Sequence, residues 1–276
     1  MPALLTSPAV HATVVSDRRE PASGIAILGL HAPELAAAVR PGQFVMVVPP
    51  GGERCATALA LYECDSERVS LMIVVVGPRT RELAAVDVGS RLTLMGPLGN
   101  GFDTAALGDD VGLVAGGVGI ASLLLLARAL RRRGARVCLY YGARTAAALD
   151  GADAFDALGC AVMLATDDGS CGHHGFVTDL VARNRDEHAA LAACGPSLML
   201  RAVGRIAASG GVPAQLSLEE AFACGVGACW GCAVPLARES AQAPAFPLPG
   251  FGERRDYVHA RICTEGPVFW AHQLRW

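Results

Sequence analysis

Between residues 111 and 219 the chain alternates apolar, strand-like runs with helix-forming runs, and this alternation constrains its fold more than any other feature. The runs "VGLVAGG" (111–117), "ARVCLYYGAR" (135–144), "CAVMLAT" (160–166), "HAALAACG" (188–195) and "PAQLSLE" (213–219) read as strands. Between them lie "IASLLLLARALRRRG", closed by Gly134, then "RTAAALDGADAFDAL" and "FVTDLVARN", and finally "PSLMLRAVGRIAAS", opened by Pro196. All four read as helices. Strands separated by helices are expected to pair in parallel, so the segment predicts a doubly wound parallel sheet.

The first hundred residues keep a different rhythm. "HATVVSD" (11–17), "GIAILGL" (24–30), "GQFVMVV" (42–48), "RVSLMIVVV" (68–76) and "SRLTLMG" (90–96) are short, rich in Val and Ile, and punctuated by Pro, Gly and charge. One helical turn fits "HAPELAAAVRPGQ" before Pro41. Strands at this spacing predict a small antiparallel barrel. From Glu219 onward the pattern turns irregular and rich in Cys, Gly and Pro, and "QAPAFPLPGFG" (242–252) reads as loop. A chain of 276 residues accommodates two or three domains. The expected division is a barrel over 1–103, an α/β unit over 104–213 and a small cysteine-rich unit over 214–276.

Composition narrows the function classes. The chain is 52% hydrophobic and 18% charged, with a formal net charge of −3, so it can bury large cores and has no bulk charge to attract nucleic acid or an anionic membrane. The start, "MPALLTSPAVHATVV", lacks a basic region and is broken by Pro2 and Pro8, which argues against a signal peptide. The uncharged run from Val111 to Ala127 is shorter than the ~20 residues of a membrane span and carries four early glycines. The expected setting is soluble and cytoplasmic. Ten cysteines without a secretion signal then point to metal or redox chemistry over a disulfide framework. No cluster of His and carboxylates points to hydrolysis, and "HH" at 173–174 reads as a surface loop.

Three of those cysteines crowd into "ACGVGACWGC" (223–232). The spacing Cys224-x4-Cys229-x2-Cys232, with Cys263 following, is that of plant-type [2Fe–2S] ligation. Four thiolates must converge on two irons, and Gly225, Gly227 and Gly231 let the loop fold sharply around them. Zinc is one rival, although zinc sites favour two C-x2-C knuckles and here only Cys229 and Cys232 make one. Core packing is the other, and it explains single cysteines better than three in a glycine-laced loop. Cys55, Cys64, Cys138, Cys160, Cys171 and Cys194 are scattered and read mostly as core fillers.

The strand "VGLVA" runs into "GGVGIAS", where Gly116, Gly117 and Gly119 open a helix. Glycines there allow a pyrophosphate to approach the backbone at a helix start, and they serve tight strand–helix packing equally well. No ribose-binding acid ends the next strand, unlike the ordinary dinucleotide fingerprint. Instead Arg144 follows that strand, Asp167 and Asp168 follow the third, and Cys194-Gly195-Pro196 ends the fourth. Open α/β sheets bind ligands at those ends, so the four features predict a shared crevice. Arg54 and Thr57, in "ERCAT", could hold a phosphate and donate a hydroxyl hydrogen bond, although an arginine on a surface loop is more often only solvated and the spacing alone does not select the phosphate reading.

A barrel followed by a nucleotide unit with "GGVG" and "CGP" is similar to the ferredoxin–NADP reductase superfamily. "SLEEAFACGVGACWGC" and "RICTEGPVF", with "GPLGNGF", "YGART", "TDDGS" and "CGPSLML", resemble the electron-transfer subunits of class 1B dihydroorotate dehydrogenases, in order along nearly the whole chain. The resemblance implies an FAD-type barrel, an NAD(H)-docking α/β unit and a C-terminal [2Fe–2S] unit held by Cys224, Cys229, Cys232 and Cys263. The family's Arg-Pro-x-Ser flavin motif falls on Arg54-Cys55-Ala56-Thr57, without the proline. Its Leu-Tyr-Arg segment falls on Met72-Ile73-Val74. Its Gly-x-Gly-Thr loop falls on "GPRT", where Arg79 replaces the second glycine and Thr80 is kept. Ser122 stands where the family commonly has proline. These departures fit a divergent paralogue serving another partner.

The implied function is electron relay between NAD(H) and a flavin-containing catalytic dehydrogenase subunit in a heteromeric complex, in pyrimidine biosynthesis. Cys194 is implied as a positioning group near the nicotinamide, and no acid–base catalyst is required. Two alternatives stand beside this: a reductase subunit for a different oxidoreductase, and a metal-binding interaction module with a decayed flavin site. Trp230, at the tip of the cysteine loop, either anchors the partner or packs over the cluster.

Overall fold

The computed structural model describes residues 9–22, 24–49, 56–240 and 257–276. Its first part is the expected closed antiparallel barrel, with six strands. These are β1 (Ala9–Ala22), β2 (Ile25–His31), β3 (Phe44–Val48), β4 (Thr57–Cys64), β5 (Arg68–Val74) and β6 (Arg91–Leu98), joined around the barrel in the order β1-β2-β5-β4-β3-β6. Alternate residues point inward, so Leu28, Leu30, Val45, Val47, Leu61, Leu71, Ile73 and Leu94 fill the interior. Short helices α1 (Pro33–Ala38) and α2 (Pro78–Ala84) add Leu35 and Leu83 to the same core. Each fully buried leucine contributes about 1.5–3 kcal/mol through burial.

Two of these elements lie beyond the sequence expectation. β4 reads "TALALYEC", where alanines dilute the strand signal and cross-strand pairing decides the outcome. α2 is held at its start by Pro78 and by the Thr80 hydroxyl, which accepts the N–H groups of Val76 (3.0 Å) and Gly77 (3.1 Å).

The second part is a seven-stranded sheet. The strands β7 (Asp110–Gly116), β8 (Arg136–Ala143), β9 (Ala161–Thr166), β10 (His173–His174), β11 (Ala190–Cys194) and β12 (Ala214–Ser217) all run parallel, in the order β10-β9-β8-β7-β11-β12. Helices α3 (Leu124–Arg132) and α4 (Ala152–Asp156) cover one face, while α5 (Val177–Asn184) and α6 (Ser197–Gly210) cover the other. With both faces covered, the central strands are apolar throughout. The helix expected over 144–158 is instead a 3-10 turn at Ala146–Ala148 followed by α4, with Gly151 at φ +85 between them. "HH" at 173–174 is an edge strand rather than a loop, and His173 Nε2 lies 3.3 Å from an Asp179 carboxylate oxygen.

The C-terminal segment is more regular than its composition. β13 (Ala233–Ala237) and β14 (Tyr257–Arg261) pair antiparallel, and β15 (Val268–Trp270) returns to pair antiparallel with β12 at the edge of the main sheet. The expected boundary at 213/214 therefore falls immediately before a strand of the central sheet. Among the described residues, no helix is long and apolar enough to cross a membrane.

Candidate functional site

The strand order reverses beside β7, with β8 on one side and β11 on the other, so their carboxyl ends flank a topological switch point. Cys194 pairs in register with Ala115 on β7 and Ser217 on β12. This brings the 3-10 turn Gly117–Ser122, the Cys194-Gly195-Pro196 loop and Glu219 to one edge. A Cβ at Gly116 would lie 2.7 Å from Pro196 Cδ and Met199 Sδ, and one at Gly119 only 2.3 Å from the Cys194 carbonyl oxygen. Those two glycines let two loops touch. Gly117 differs, at φ +52 with nothing near its Cβ position, so its backbone is open to an approaching ligand.

Cys194 is fully buried, and its thiol donates to the Glu219 carboxylate at 3.4 Å, with Ser122 and Ser217 in hydrogen-bonding contact. Burial, reinforced by the adjacent carboxylate, pushes the thiol well above its ordinary pKa. A buried thiol held so far up stays protonated and is a poor nucleophile. Glu219 is accessible at the rim, yet its carboxyl end is packed among protein atoms. Burial raises its pKa against the opposing hydrogen bond from Cys194. The sequence reading passes over Glu219, whose only local signal is its place just after the last parallel strand.

A cleft of about 250 Å³ separates this edge from the barrel. Thr57 and Ala58 of β4, Met72 and Val74 of β5, and Thr80 of α2 line one side, and Val118, Ala121, Ser122 and Glu219 the other. Phe222 and Pro267 close it, with the Phe222 ring 4.8 Å from that of Phe44. Of the residues expected here, Thr57, Met72, Val74 and Thr80 are brought together. Ile73 points into the barrel core, as strand alternation requires. Ala56 adjoins Thr57 without lining the cleft, Arg79 is exposed on α2, and Arg54 and Cys55 lie outside the described residues. The Thr57 hydroxyl oxygen is buried without a hydrogen-bond partner. Leaving it so costs about 1–3 kcal/mol, which a ligand atom in the cleft would recover. Mostly apolar walls with an orphaned hydroxyl fit a planar ring system with polar edges, as a flavin has.

Arg144 and Asp168 follow β8 and β9 on the same sheet edge, and both are exposed. The Ser170 hydroxyl (2.6 Å) and N–H (3.0 Å) donate to Asp168 and hold its carboxyl below the usual range. The Ser170 hydroxyl also accepts the Ala146 N–H at 2.8 Å, tying together the loops after β8 and β9.

The thiol site adjoins the cleft, because Phe222 in the cleft wall precedes Cys224 by two residues. Gly225 (φ +70) packs onto β3, where a Cβ would lie 2.6 Å from Met46 Cγ. Pairing of Ala233 with Arg261 and the 3.0 Å bond from Ile262 N–H to the Cys232 carbonyl return Cys263 beside Cys232. The Cys229 thiol is a hydrogen-bond neighbour of Cys224 and the Cys232 thiol of Cys263, with Cys224 also within electrostatic reach of Cys263. Burial would raise the Cys224 thiol, but the N–H groups of Cys229, Val226 and Ala228, with the Cys229 thiol, outweigh it and bring it down to about 6. Burial first, then the Cys232 thiol, pushes Cys263 up to about 12. Among the described residues, no three metal-ligating side chains gather tightly enough for a single ion. Two thiol pairs in a loop of inward N–H groups fit two irons better than one zinc.

No protein-family model matches the chain. It is 34% identical over 253 residues to a dihydroorotate dehydrogenase B (NAD(+)) electron transfer subunit of Desulforamulus reducens, covering 89% of this chain and 90% of that protein. It is 36% identical over 236 residues to the corresponding subunit of Shouchella clausii, covering 83% and 84%. Among solved structures, it is similar to a chain of the NADH-dependent reduced ferredoxin-NADP oxidoreductase, at TM-score 0.80 and 26% identity, covering 96% of this chain and 90% of that one.

Proposed function

The chain belongs to the family of dihydroorotate dehydrogenase B electron transfer subunits, and on that premise we propose that it relays electrons between NAD(H) and a flavin-containing catalytic dehydrogenase subunit. The barrel (1–103) is the FAD unit, the sheet that starts at 104 and takes in β12 and β15 is the NAD(H) unit, and the cysteine segment between β12 and β15 is the [2Fe–2S] unit. The bound groups supply the conversion between a two-electron hydride and single electrons, which no side chain here performs.

The chain's own residues position and shield. Thr57 gives its unpartnered hydroxyl to the flavin, Met72 and Val74 exclude water from it, and Thr80 borders the same cleft; Arg54 and Cys55 join the subsite by family resemblance, whereas Ile73, Ala56 and Arg79 do not line it. Gly117 admits the dinucleotide to a turn that Gly116 and Gly119 hold against Gly195 and Pro196. Arg144 and Asp168 border its far end. Cys194, kept neutral by burial, backs the nicotinamide and takes no proton in the exchange. Cys224, Cys229, Cys232 and Cys263 ligate the cluster.

The observation that carries this reading is the two-residue link from Phe222 in the cleft wall to Cys224. The nine described cysteines are all free, which supports a cytoplasmic setting. The likeness to the ferredoxin-NADP oxidoreductase chain favours one second reading, in which the same relay serves a different partner oxidoreductase. Anaerobic purification with iron, sulfide and flavin assays tests the relay. All three are expected; zinc alone, or iron and sulfide without flavin, sinks it. The identity of a co-purifying dehydrogenase decides between the two partners.

A further inference from the structure

Arg261 is a residue that neither the motif spacing nor the cleft accounts for. It ends β14, two positions before Cys263, and its side chain is about three-quarters buried. Its guanidinium has three engagements. Nη1 donates to the Gly227 carbonyl in the cysteine loop at 3.0 Å. Nη2 and Nε donate to the two Glu265 carboxylate oxygens at 2.5 and 3.1 Å. The guanidinium carbon lies 4.9 Å from the centre of the Trp230 ring, and Trp230 is the one described non-glycine residue with positive φ, at 59°. Glu265 in turn accepts the Arg261 backbone N–H at 2.6 Å, so the pair is fixed to the hairpin that carries Cys263.

The left-handed region is unfavourable for an aromatic residue, and the Arg261 guanidinium lies over the Trp230 ring that adopts it while also holding the loop carbonyl of Gly227. The guanidinium is also within electrostatic reach of Cys263 and Cys232, the pair that would bind one iron. A partly buried charge near a cluster is screened less than a surface one and acts directly on its potential.

We propose that the Arg261–Glu265 ion pair is the positioning and potential-setting element of the thiol site, acting on the Cys232/Cys263 side. This rests on the [2Fe–2S] reading above. A reduced cluster carries one more negative charge than an oxidised one. The guanidinium favours the reduced form and the carboxylate opposes it, so their effects are opposite in sign.

The test uses full-length protein purified anaerobically with its partner, with iron and sulfide content, the EPR spectrum and the cluster midpoint potential measured for wild type, R261Q, R261K, E265Q and the R261Q/E265Q double variant. R261Q, which leaves the carboxylate alone, is expected to lower the potential. E265Q, which leaves the guanidinium alone, is expected to raise it, and the double variant to return it toward wild type. R261K keeps the charge without the fork, so it is expected to stay closer to wild type in potential than R261Q while changing the EPR line shape. If R261Q does not retain a cluster, the test rests on an upward shift in E265Q with R261K near wild type, and an E265Q potential that is unchanged or lowered overturns the proposal. Equal, absent or same-sign shifts overturn the proposal, and loss of the cluster from all variants overturns it by reducing the pair to a loop staple. Wild type without iron and sulfide overturns instead the reading on which it rests.

Discussion

Replacing Gly119 by alanine tests how the crevice is built. The added methyl would stand 2.3 Å from the Cys194 carbonyl oxygen, 2.5 Å from its carbon and 2.7 Å from the Gly195 nitrogen, all inside the 3.0 Å that real Cβ contacts respect. All three atoms are backbone, so no rotamer change relieves them, and the 117–122 turn must separate from the end of β11. Forcing a methylene-sized group into such packing costs about 1–3 kcal/mol, here toward the top. Stiffening the unfolded chain returns about 0.4–1 kcal/mol. The net loss is about 2 kcal/mol, or a melting temperature lower by ~5 °C for a chain of this size. Gly117→Ala is the control, with no neighbour within 4 Å and only its left-handed φ of +52 to oppose it, at a cost of about 1 kcal/mol. Thermal unfolding and NADH titration of the flavin-loaded complex measure both. G119A is expected to be the less stable of the two and to bind NADH at least tenfold more weakly than wild type. If G119A unfolds at or above the temperature of G117A, the close approach of the two loops does not govern this site.

Other outcomes follow from the same geometry. Thr57→Val removes a buried hydroxyl that has no protein partner, so the flavin-free protein should gain about 1–3 kcal/mol of stability while flavin affinity, measured by dilution and fluorescence, falls severalfold. Cys229→Ser should abolish cluster absorbance while NADH-to-dye reduction through flavin stays largely intact; persistent absorbance would refute the ligand assignment. Gly225→Ala, at φ +70 with Met46 Cγ 2.6 Å from the new methyl, should lower iron content per chain by more than half. Asp110 is held below the ordinary carboxylate range: burial alone would raise it, but hydrogen bonds from Arg136 and His188 prevail. Its contribution is therefore present above the unfolded value of about 3.9 and lost as pH falls through the lower folded value. Asp110→Asn should flatten the acid limb of an unfolding-versus-pH profile, and an unchanged limb would rule that out.

The layered architecture is legible in the sequence because burial on both sheet faces leaves uninterrupted apolar runs such as "VGLVA" and "LAAC", and because glycine and proline punctuate them. β4 is not, since "TALALYEC" becomes a strand through its neighbours β3 and β5 rather than through its own propensity. The three clustered cysteines announce themselves by spacing, and Cys263 does so only through the family motif. What returns it to the others is a hairpin register, which no local pattern encodes. Glu219 and Arg261 are silent for a similar reason. A single charged residue beside a strand end acquires its role from what the fold sets opposite it, Cys194 for one and the Gly227 carbonyl for the other.

The return of β15 to β12 has a mechanical consequence. The cysteine segment leaves the main sheet from one strand and re-enters it on the strand hydrogen-bonded beside it, so it is an excursion stitched down at both ends. A module hung from a single tether can swing between donor and acceptor like an arm; one sewn in twice cannot. With Gly225 also seated on β3, the distance from cleft to thiols is set by the scaffold, and on the relay proposed above the acceptor is expected to come to the loop.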